Sequence, residues 1–270
     1  LHPAMKRPNL TVKTRALTSR ILMEGNRAVG VEYLQGGQTH RANADAEVIL
    51  SGGVFNSPQV LMLSGIGPAD HLREFGIDVV LDLPVGKNLQ DHLTVNVMWS
   101  RPKNTSLFRE QMRFDRMAVS MVRAYLFGSG PATVVPGGMH AFIKTKEDLD
   151  APDLEFMFRG IPLHAQMWFP GLKKPYYDGY GIRPALLHPK SRGEVKLRST
   201  DPRDHARIFY NFLSHPDDLP ALREGFKIGR DVGNQPAMEA FRGDESIPGP
   251  SVKTDDEIDE YLRNSISTVY

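Results

Sequence analysis

The feature that most constrains the fold of this chain is an apolar run that ends in two glycines and leads directly into a short helix. Residues Glu47–Gly53 read EVILSGG, which is typical of a strand buried on both faces. Ser57 is a good N-cap and Pro58 suits the first helical turn, so we expect a helix to begin there. Gly65 is expected to end that helix in the left-handed conformation. The pattern predicts a strand–turn–helix unit of an α/β fold.

Such a turn brings bare backbone and free N–H groups close to anything bound beside it. A nucleotide or dinucleotide is a natural ligand. A tight turn that binds nothing explains the same residues. Because the turn is not a complete GxGxxG motif, the residues alone leave both interpretations open.

The remaining sequence predicts two parts, with the boundary near residue 95. The first part mixes strand-like runs with short helices, and a hairpin turn is expected at Glu24–Asn26. The second part opens with a strand-like run over residues 94–100. A helix over Phe108–Gly128 follows, and its methionine stripe is expected to lie in the core. Strand-like runs separated by Pro/Gly-rich loops then indicate an antiparallel sheet. The chain ends with helices, the last of which has a capping box formed by Thr254 and Glu257.

Composition excludes several classes of protein. The net charge is +1 with basic and acidic residues interspersed, which argues against nucleic acid as a partner. No apolar run approaches the length of a membrane span. There is no cysteine, which excludes disulfides and thiolate zinc sites and is compatible with a cytoplasmic location. The nine histidines are scattered without ligand spacing, so no metal site is expected.

The segment EVILSGGVFNSPQVLMLSGIG closely resembles the second sequence signature of the glucose–methanol–choline (GMC) oxidoreductases, which depend on FAD. The continuation PADHLREFGIDVVLDLPVGKNLQDH is also similar to that family, as are SRGEVKLRSTDPRD and IDEYLRNSISTVY. The choline- and alcohol-dehydrogenase-like members are the most similar. Val54 departs from the pattern, since the family usually has Ala, Ser or Thr there.

The resemblance implies an α/β (overall α+β) fold in two domains. Residues 1–95 would form part of a Rossmann-like FAD-binding domain, with the signature at residues 51–67. Residues 96–270 would form a substrate-binding domain, in which helices cover an antiparallel sheet. The positions that the resemblance assigns to FAD are Thr18, Ser51, Gly52, Gly53, Asn88, Asp91 and His92.

These positions have different implied roles. The backbone of Thr18 would contact the adenine, and Ser51–Gly53 would run beside the adenosine or pyrophosphate. Asn88, Asp91 and His92 match an NLQDH motif near the domain junction, where a structural hydrogen-bonded pair of Asp91 and His92 explains the residues more simply than catalysis does.

The resemblance also implies that this chain is a central fragment of such an enzyme. The family's GxGxxG fingerprint does not occur in the 270 residues. The catalytic histidine of the family follows a TVY-like run, and the sequence reaches Thr268–Tyr270 without it. No catalytic residue is therefore assigned, and the isolated chain is expected to be inactive and to bind FAD weakly or not at all. We interpret His188 as structural or pocket-lining.

The implied reaction is hydride transfer from the CH–OH group of a small alcohol to flavin N5, with FAD as cofactor. Two alternatives remain: a non-catalytic binding or structural fragment, and a hydroxynitrile-lyase-like member of the family. Pro131–Ile143 contains no acidic residue, which weakens choline as the substrate. Pro162–Tyr177 is aromatic-rich and suits either a lid or a loop packed on the sheet. The oligomeric state and the electron acceptor are not determined by the sequence.

Overall fold

The computed structural model describes residues 2–102, 106–134 and 137–269. These residues divide into two compact units. Unit 1 comprises the chain up to Gln90 together with Arg192–Asn211, and unit 2 comprises Asp91–Ser191 together with the chain from Phe212 onward. The first division falls near the predicted boundary at residue 95. The return of Arg192–Asn211 to unit 1 was not predicted, and it occurs because one strand of that segment pairs with a strand just before Gln90.

The helices and strands of the described residues have the following bounds. The helices are α1 (Gly53–Leu63), α2 (Ala69–Glu74), α3 (Leu107–Gln111), α4 (Phe114–Phe127), α5 (Asp218–Asn234) and α6 (Asp255–Ser265). The strands are β1 (Leu17–Glu24), β2 (Arg27–Gln35), β3 (Gln38–Asn43), β4 (Ile66–Gly67), β5 (Leu81–Asp82), β6 (Lys87–Leu89), β7 (Leu93–Thr94), β8 (Val97–Ser100), β9 (Gly137–Ile143), β10 (Leu154–Arg159), β11 (Gly179–Leu186), β12 (Gly193–Lys196), β13 (Arg207–Phe209), β14 (Glu245–Ile247) and β15 (Ser267–Thr268).

Unit 1 is built from small sheets around α1 and α2. Strands β1, β2 and β3 form an antiparallel sheet in chain order, β12 pairs with both β6 and β13, and β4 pairs in parallel with β5. The predicted hairpin turn at Glu24–Asn26 is present, and Gly25 takes the positive φ of 58° that such a turn requires. A small core of Met62, Leu72 and Leu197 holds α1, α2 and the end of β12 together.

The expectations for Glu47–Gly53 and Ser57 were wrong in this structure. The run Glu47–Gly52 is not a strand, and the Ile49 side chain is 78% exposed. Among the described residues no strand lies beside this run to complete its hydrogen bonds. Helix α1 begins at Gly53, so Ser57 is not its N-cap and Pro58 lies inside it. The positive φ of Gly53, 84°, turns the chain into the helix earlier than Ser57.

Gly65 meets its prediction. Its φ is 81°, and a Cβ there would lie 2.5 Å from the Asp78 carbonyl oxygen. Because Gly65 has no side chain, the backbone after α1 can pack directly against the segment that leads into β5.

Unit 2 is built on an antiparallel sheet with the strand order β14-β8-β11-β10-β9, in which β7 pairs with both β11 and β15. Helices α5 and α6 pack on this sheet, as predicted, and the core between them centres on Trp99, Tyr180 and Phe226. The capping box at Thr254 and Glu257 is confirmed at the start of α6.

Helix α5 approaches the sheet through glycines at every fourth position. A Cβ at Gly225 would lie 2.8 Å from Leu154 Cδ1, and a Cβ at Gly233 would lie 2.1 Å from Trp99 Cη2. Side chains at these positions would push the helix off the strands. The glycines therefore set the distance between α5 and the sheet.

The predicted helix over Phe108–Gly128 is present but divided into α3 and α4. The prediction that its methionine stripe lies in the core was wrong, because Met121 is 60% exposed and Ser120 is the one buried residue of α4. The periodicity of a sequence predicts which residues share one face of a helix, but it does not predict which element covers that face. In this structure α4 packs mainly against α3 and the short 3₁₀ turn Pro131–Thr133. No helix among the described residues has the length and apolar character needed to cross a membrane.

Candidate functional site

The start of α1 presents the predicted cofactor residues Ser51, Gly52 and Gly53 on the surface of unit 1. All three are exposed, and no described side chain caps the first N–H groups of the helix. A Cβ at Gly53 would meet open space, whereas one at Gly52 would lie 3.3 Å from the Asn56 side chain and the Ser57 Oγ. The uncapped N–H groups and the positive end of the helix dipole favour an anion at this point.

Thr18 lies on β1, the strand that packs beside α1. Thr18 is half-buried and pairs with Tyr33 of β2. The Ile21 N–H donates a 2.8 Å hydrogen bond to Ser64 Oγ, and that hydroxyl donates at 2.6 Å to the Val60 carbonyl oxygen. Because Ser64 joins β1 to the end of α1, Thr18 has a fixed position relative to that helix. Strand β1, which carries the predicted adenine-contacting residue Thr18, is thus packed against α1.

Asn88 occupies a strained position in β6. Its φ is 65°, in the left-handed region that asparagine tolerates better than most residues, and its side chain is exposed. The neighbouring Lys87 forms an ion pair with Glu194 of β12, which holds β6 in place. Asn88 is therefore presented outward from a fixed strand.

His71 is a buried residue that the sequence did not single out. Its Nε2 accepts a 3.0 Å hydrogen bond from the Leu197 N–H, and its Nδ1 lies 3.3 Å from Glu74 Oε2. Since Nε2 is an acceptor, the ring is neutral with its proton on Nδ1. His71 joins α2 to the strand region after β12, and this role is structural.

In unit 2, Asp91 lies between the start of β7 and the end of β15. One carboxylate oxygen accepts a 2.8 Å hydrogen bond from the His92 N–H, and the other accepts a hydrogen bond from the Thr268 hydroxyl. The His92 ring Nδ1 is 3.2 Å from the Leu186 carbonyl oxygen, and the His92 carbonyl oxygen accepts from the Val269 N–H at 3.2 Å. The contact that Asp91 makes with His92 is therefore through the backbone, and both residues hold the Thr268–Val269 segment.

Arg183 holds the same segment from β11. Its Nη2 donates a 2.6 Å hydrogen bond to the Thr268 carbonyl oxygen. Burial, assisted by the nearby charge of Arg159, lowers the pKa of Arg183. A partly buried guanidinium that points at one carbonyl group defines the position of that carbonyl closely. Thr268 is thus held at its hydroxyl by Asp91, at its carbonyl by Arg183 and along its backbone by β7.

Sequence reasoning missed Thr268 and Arg183. Thr268 is 177 residues from Asp91 along the chain, and no local motif links them. His188, interpreted as structural or pocket-lining, is exposed and lines a cavity of about 740 Å³ together with Thr145 and Asp153. No group of three or more potential metal ligands occurs in the part of the chain that the structure describes.

The residues at the start of α1 fit a phosphate-bearing cofactor. The pyrophosphate of a dinucleotide requires free N–H groups and a close, open approach to the backbone. This turn offers uncapped N–H groups, open space at Gly53 and a backbone conformation there that disfavours residues other than glycine. Val54, the departure from the family pattern, is 58% exposed beside this turn.

Two family models, both described as GMC oxidoreductase, match the chain over residues 1–94 and 189–270. Choline dehydrogenase from mouse mitochondria is 40% identical over 273 residues, and the match covers 100% of this chain and 45% of the mouse protein. Oxygen-dependent choline dehydrogenase from Pseudomonas aeruginosa is 37% identical over 274 residues, covering 100% of this chain and 48% of the relative. The chain spans about half the length of the curated relatives it matches.

Solved structures agree with these matches. An arginine-to-alanine variant of Aspergillus oryzae formate oxidase superimposes with a TM-score of 0.85 at 25% identity. The superposition covers 98% of this chain and 51% of the oxidase.

Proposed function

This chain belongs to the GMC oxidoreductase family, and on that premise we propose that it forms part of an FAD-dependent enzyme that oxidises the CH–OH group of an alcohol. The observation that carries the proposal is the anchoring of Thr268 by Asp91 and Arg183. The sequence resemblance implies that the base that takes the alcohol proton directly follows the run that includes Thr268. A base must be held within hydrogen-bond reach of the substrate hydroxyl, so a rigid preceding segment serves the reaction.

In this proposal the start of α1 holds the cofactor. The N–H groups after Gly52 bind the phosphate-bearing part of FAD, and the Thr18 backbone contacts the adenine. FAD, when bound, supplies the hydride acceptor that protein side chains lack. The chain's own residues bind and orient it.

Asp91, Arg183 and Thr268 act as positioning residues. None of them is proposed to touch the reacting atoms. Loss of the Thr268 hydroxyl removes one of the contacts that fix the backbone of the segment, and a displacement of about 1 Å at a catalytic group reduces the rate by about 100-fold. The effect is expected in kcat, since the cofactor residues at α1 belong to unit 1 and stay unchanged.

The proposed substrate is a small primary alcohol. Choline is the first compound to test, because relatives that are 37–40% identical are named choline dehydrogenases. The absence of acidic residues in Pro131–Ile143 favours neutral alcohols instead, since a quaternary ammonium is best recognised by carboxylates and aromatic rings. A panel of choline, benzyl alcohol and aliphatic alcohols separates these possibilities.

The test uses the protein expressed from the complete reading frame that encodes this chain. Thr268→Val is compared with Thr145→Val, because each substitution removes a threonine hydroxyl that donates to a carboxylate in unit 2. We expect Thr268→Val to lower kcat by at least tenfold at unchanged flavin content, and Thr145→Val to retain the rate.

Other outcomes decide between the alternatives. Protein that contains no flavin after purification and reconstitution favours the non-catalytic fragment and contradicts the proposal. Bound flavin that no alcohol reduces, together with cleavage of a cyanohydrin, favours a lyase. Equal rates for the two variants would show that the Thr268 anchor has no part in positioning.

A further inference from the structure

The sheet of unit 2 has a second face, opposite the face that packs against α5. Phe156 of β10 and Tyr180 and Ile182 of β11 belong to the core beneath α5. Because successive side chains of a strand point to opposite faces, the residues that alternate with these three lie on the second face. The charged or titratable residues that β9, β10 and β11 place there are His140, Glu155, Arg159 and Arg183.

Arg159 and Arg183 are neighbours on the second face, and we call them the arginine pair. In the pairing of β10 with β11, Met157 lies opposite Arg183 and Gly181 lies opposite Arg159. The two arginines are therefore diagonal neighbours with Cα atoms about 7–8 Å apart, a distance that two long side chains span. Because Gly181 has no side chain, the position directly opposite Arg159 offers no partner for its charge.

Neither arginine forms an ion pair within the part of the chain that the structure describes. Arg159 is half-buried and makes no side-chain hydrogen bond with a described residue. Arg183 Nη2 donates to the Thr268 carbonyl oxygen at 2.6 Å, and Arg183 Nε is buried without a described hydrogen-bond partner. Glu155, the one carboxylate of β9–β11, is already paired with His140 Nδ1 at 2.6 Å.

Two neighbouring cations without a carboxylate repel each other. Burial and, after it, the charge of Arg159 lower the pKa of Arg183. An anion held between the two guanidinium groups removes this repulsion and binds the donors that have no partner, the fork of Arg159 and Arg183 Nε. A carboxylate has the planar geometry that matches such donors. The arginine pair therefore has the charge and the donors of a carboxylate site.

We propose that the arginine pair binds a carboxylate group of the substrate, so that the alcohol this enzyme oxidises is a hydroxy acid. The inference rests on the proposed function, in which the base follows the run Thr268–Tyr270. Three residues of extended chain span at most about 11 Å, so the base lies within that distance of Thr268. Since Arg183 contacts the Thr268 carbonyl oxygen, a substrate of a few carbon atoms reaches from the arginine pair to the base.

The carboxylate in this proposal does not react. It fixes one end of the substrate, so that the hydroxyl at the other end is presented to the base in one orientation. The same two charges oppose a substrate cation, because a quaternary ammonium group at this site would meet two like charges. The arginine pair is thus a specificity-determining feature that favours anionic alcohols over choline.

The first test compares alcohols that differ only in a carboxylate, using the flavin-loaded protein expressed from its complete reading frame. 6-Hydroxyhexanoate is compared with 1-hexanol, and 4-(hydroxymethyl)benzoate with 4-methylbenzyl alcohol. Each pair exchanges a carboxylate for a methyl group. We expect kcat/KM to be higher for the acid by about tenfold or more, and this preference should fall as salt screens the charges.

The second test removes one cation. Arg159→Gln should raise KM for the two acids by about tenfold to hundredfold, the worth of a hydrogen bond to a charged group, and should leave the two neutral alcohols unchanged. Arg159→Lys should retain part of the preference, because it keeps the charge and loses the fork. The matched control Arg263→Gln removes an exposed arginine of α6 and should keep the full preference. Arg183 is left intact because it also holds Thr268.

A third measurement does not depend on turnover. Hexanoate has the carboxylate but no hydroxyl, so its dissociation constant from the flavin-loaded protein is measured by isothermal titration calorimetry. Arg159→Gln should weaken hexanoate binding by about tenfold to hundredfold, and Arg263→Gln should not. Hexanoate binding that depends on Arg159, in a protein whose flavin no alcohol reduces, would retain the anion site and refute the proposed function.

Four results would overturn the inference while alcohol oxidation stands. The first is equal kcat/KM for the acids and their neutral counterparts in the unmodified protein. The second is hexanoate that fails to bind, which would mean that a carboxylate of the protein itself occupies the arginine pair. The third is an Arg159→Gln protein that slows all four alcohols equally and has a shifted flavin reduction potential, since the cation then acts on the flavin. The fourth is an Arg263→Gln protein that loses the preference to the same extent.

Discussion

Replacement of Gly233 by alanine should destabilise unit 2 even though alanine is the better helix former. A Cβ at this position would lie 2.1 Å from Trp99 Cη2 and 2.4 Å from Trp99 Cζ2, more than 1 Å inside ordinary contact distance. Trp99 is 1% exposed and stacks on Tyr180 at 5.4 Å between ring centroids, so a shift of the indole ring disturbs this packing. Overpacking costs about 1–3 kcal/mol, and this overlap belongs at the upper end.

Alanine regains about 1 kcal/mol of helix propensity, which leaves a net loss of about 2 kcal/mol. For a unit of this size that corresponds to a fall in Tm of about 4–8 °C. Gly229→Ala is the matched control on the same face of α5, because its Cβ would lie 3.3 Å from Phe156 Cε1 and 3.4 Å from Ile182 Cγ2. In Gly229→Ala the gain in helix propensity roughly offsets the cost of this tight contact, so the Tm should hardly change.

Tryptophan fluorescence during thermal unfolding measures the effect, since Trp99 lies in the core of unit 2. Binding of α5 to the sheet should weaken in Gly233→Ala and not in Gly229→Ala. A Gly233→Ala protein at least as stable as the Gly229→Ala protein would refute the reasoning that glycines set the distance between α5 and the sheet.

Three further predictions concern other parts of the molecule. His71→Ala should lower the free energy of unfolding of unit 1 by about 1–3 kcal/mol, because the buried Leu197 N–H loses its acceptor. Urea denaturation measures this change, and an unchanged midpoint would contradict the structural role of the ring. Asp91→Asn should reduce kcat while flavin content stays constant, since the hydroxyl of Thr268 loses a charged acceptor; flavin loss instead would place Asp91 in cofactor binding. A hydrogen bond from the neighbouring guanidinium lowers the pKa of Asp115 to about 2, so its contribution is complete above about pH 4 and is lost as the pH falls towards 2. Amide protection factors at the start of α4, which are exchange rates corrected for the intrinsic rate at each pH, should fall in that window and stay constant between pH 5 and 7.

Local sequence signals predicted the elements whose geometry depends on a few adjacent residues. The hairpin turn at Gly25, the left-handed Gly65 and the capping box at Thr254 are all present, because each depends on the backbone freedom or the side chain of residues within one turn. The antiparallel sheet with covering helices was also predicted.

The failures share a physical reason. Ser57 has the chemistry of an N-cap, but the φ of Gly53 starts the helix five residues earlier than the predicted start at Pro58. The stripe that includes Met121 has helical periodicity, but periodicity does not reveal whether another element covers it. The contact between Asp91 and Thr268 joins residues 177 apart, and only the pairing of β7 with β15 brings them together.

The central claim is that this chain belongs to an enzyme in which an alcohol reduces bound FAD. The most direct measurement is the absorption spectrum of the protein, expressed from its complete reading frame and kept free of oxygen, before and after addition of choline and then of the other alcohols in the panel. The account predicts an oxidised flavin spectrum that one of these alcohols bleaches within the time of a turnover. A protein without flavin, or with flavin that every alcohol leaves oxidised, would contradict it.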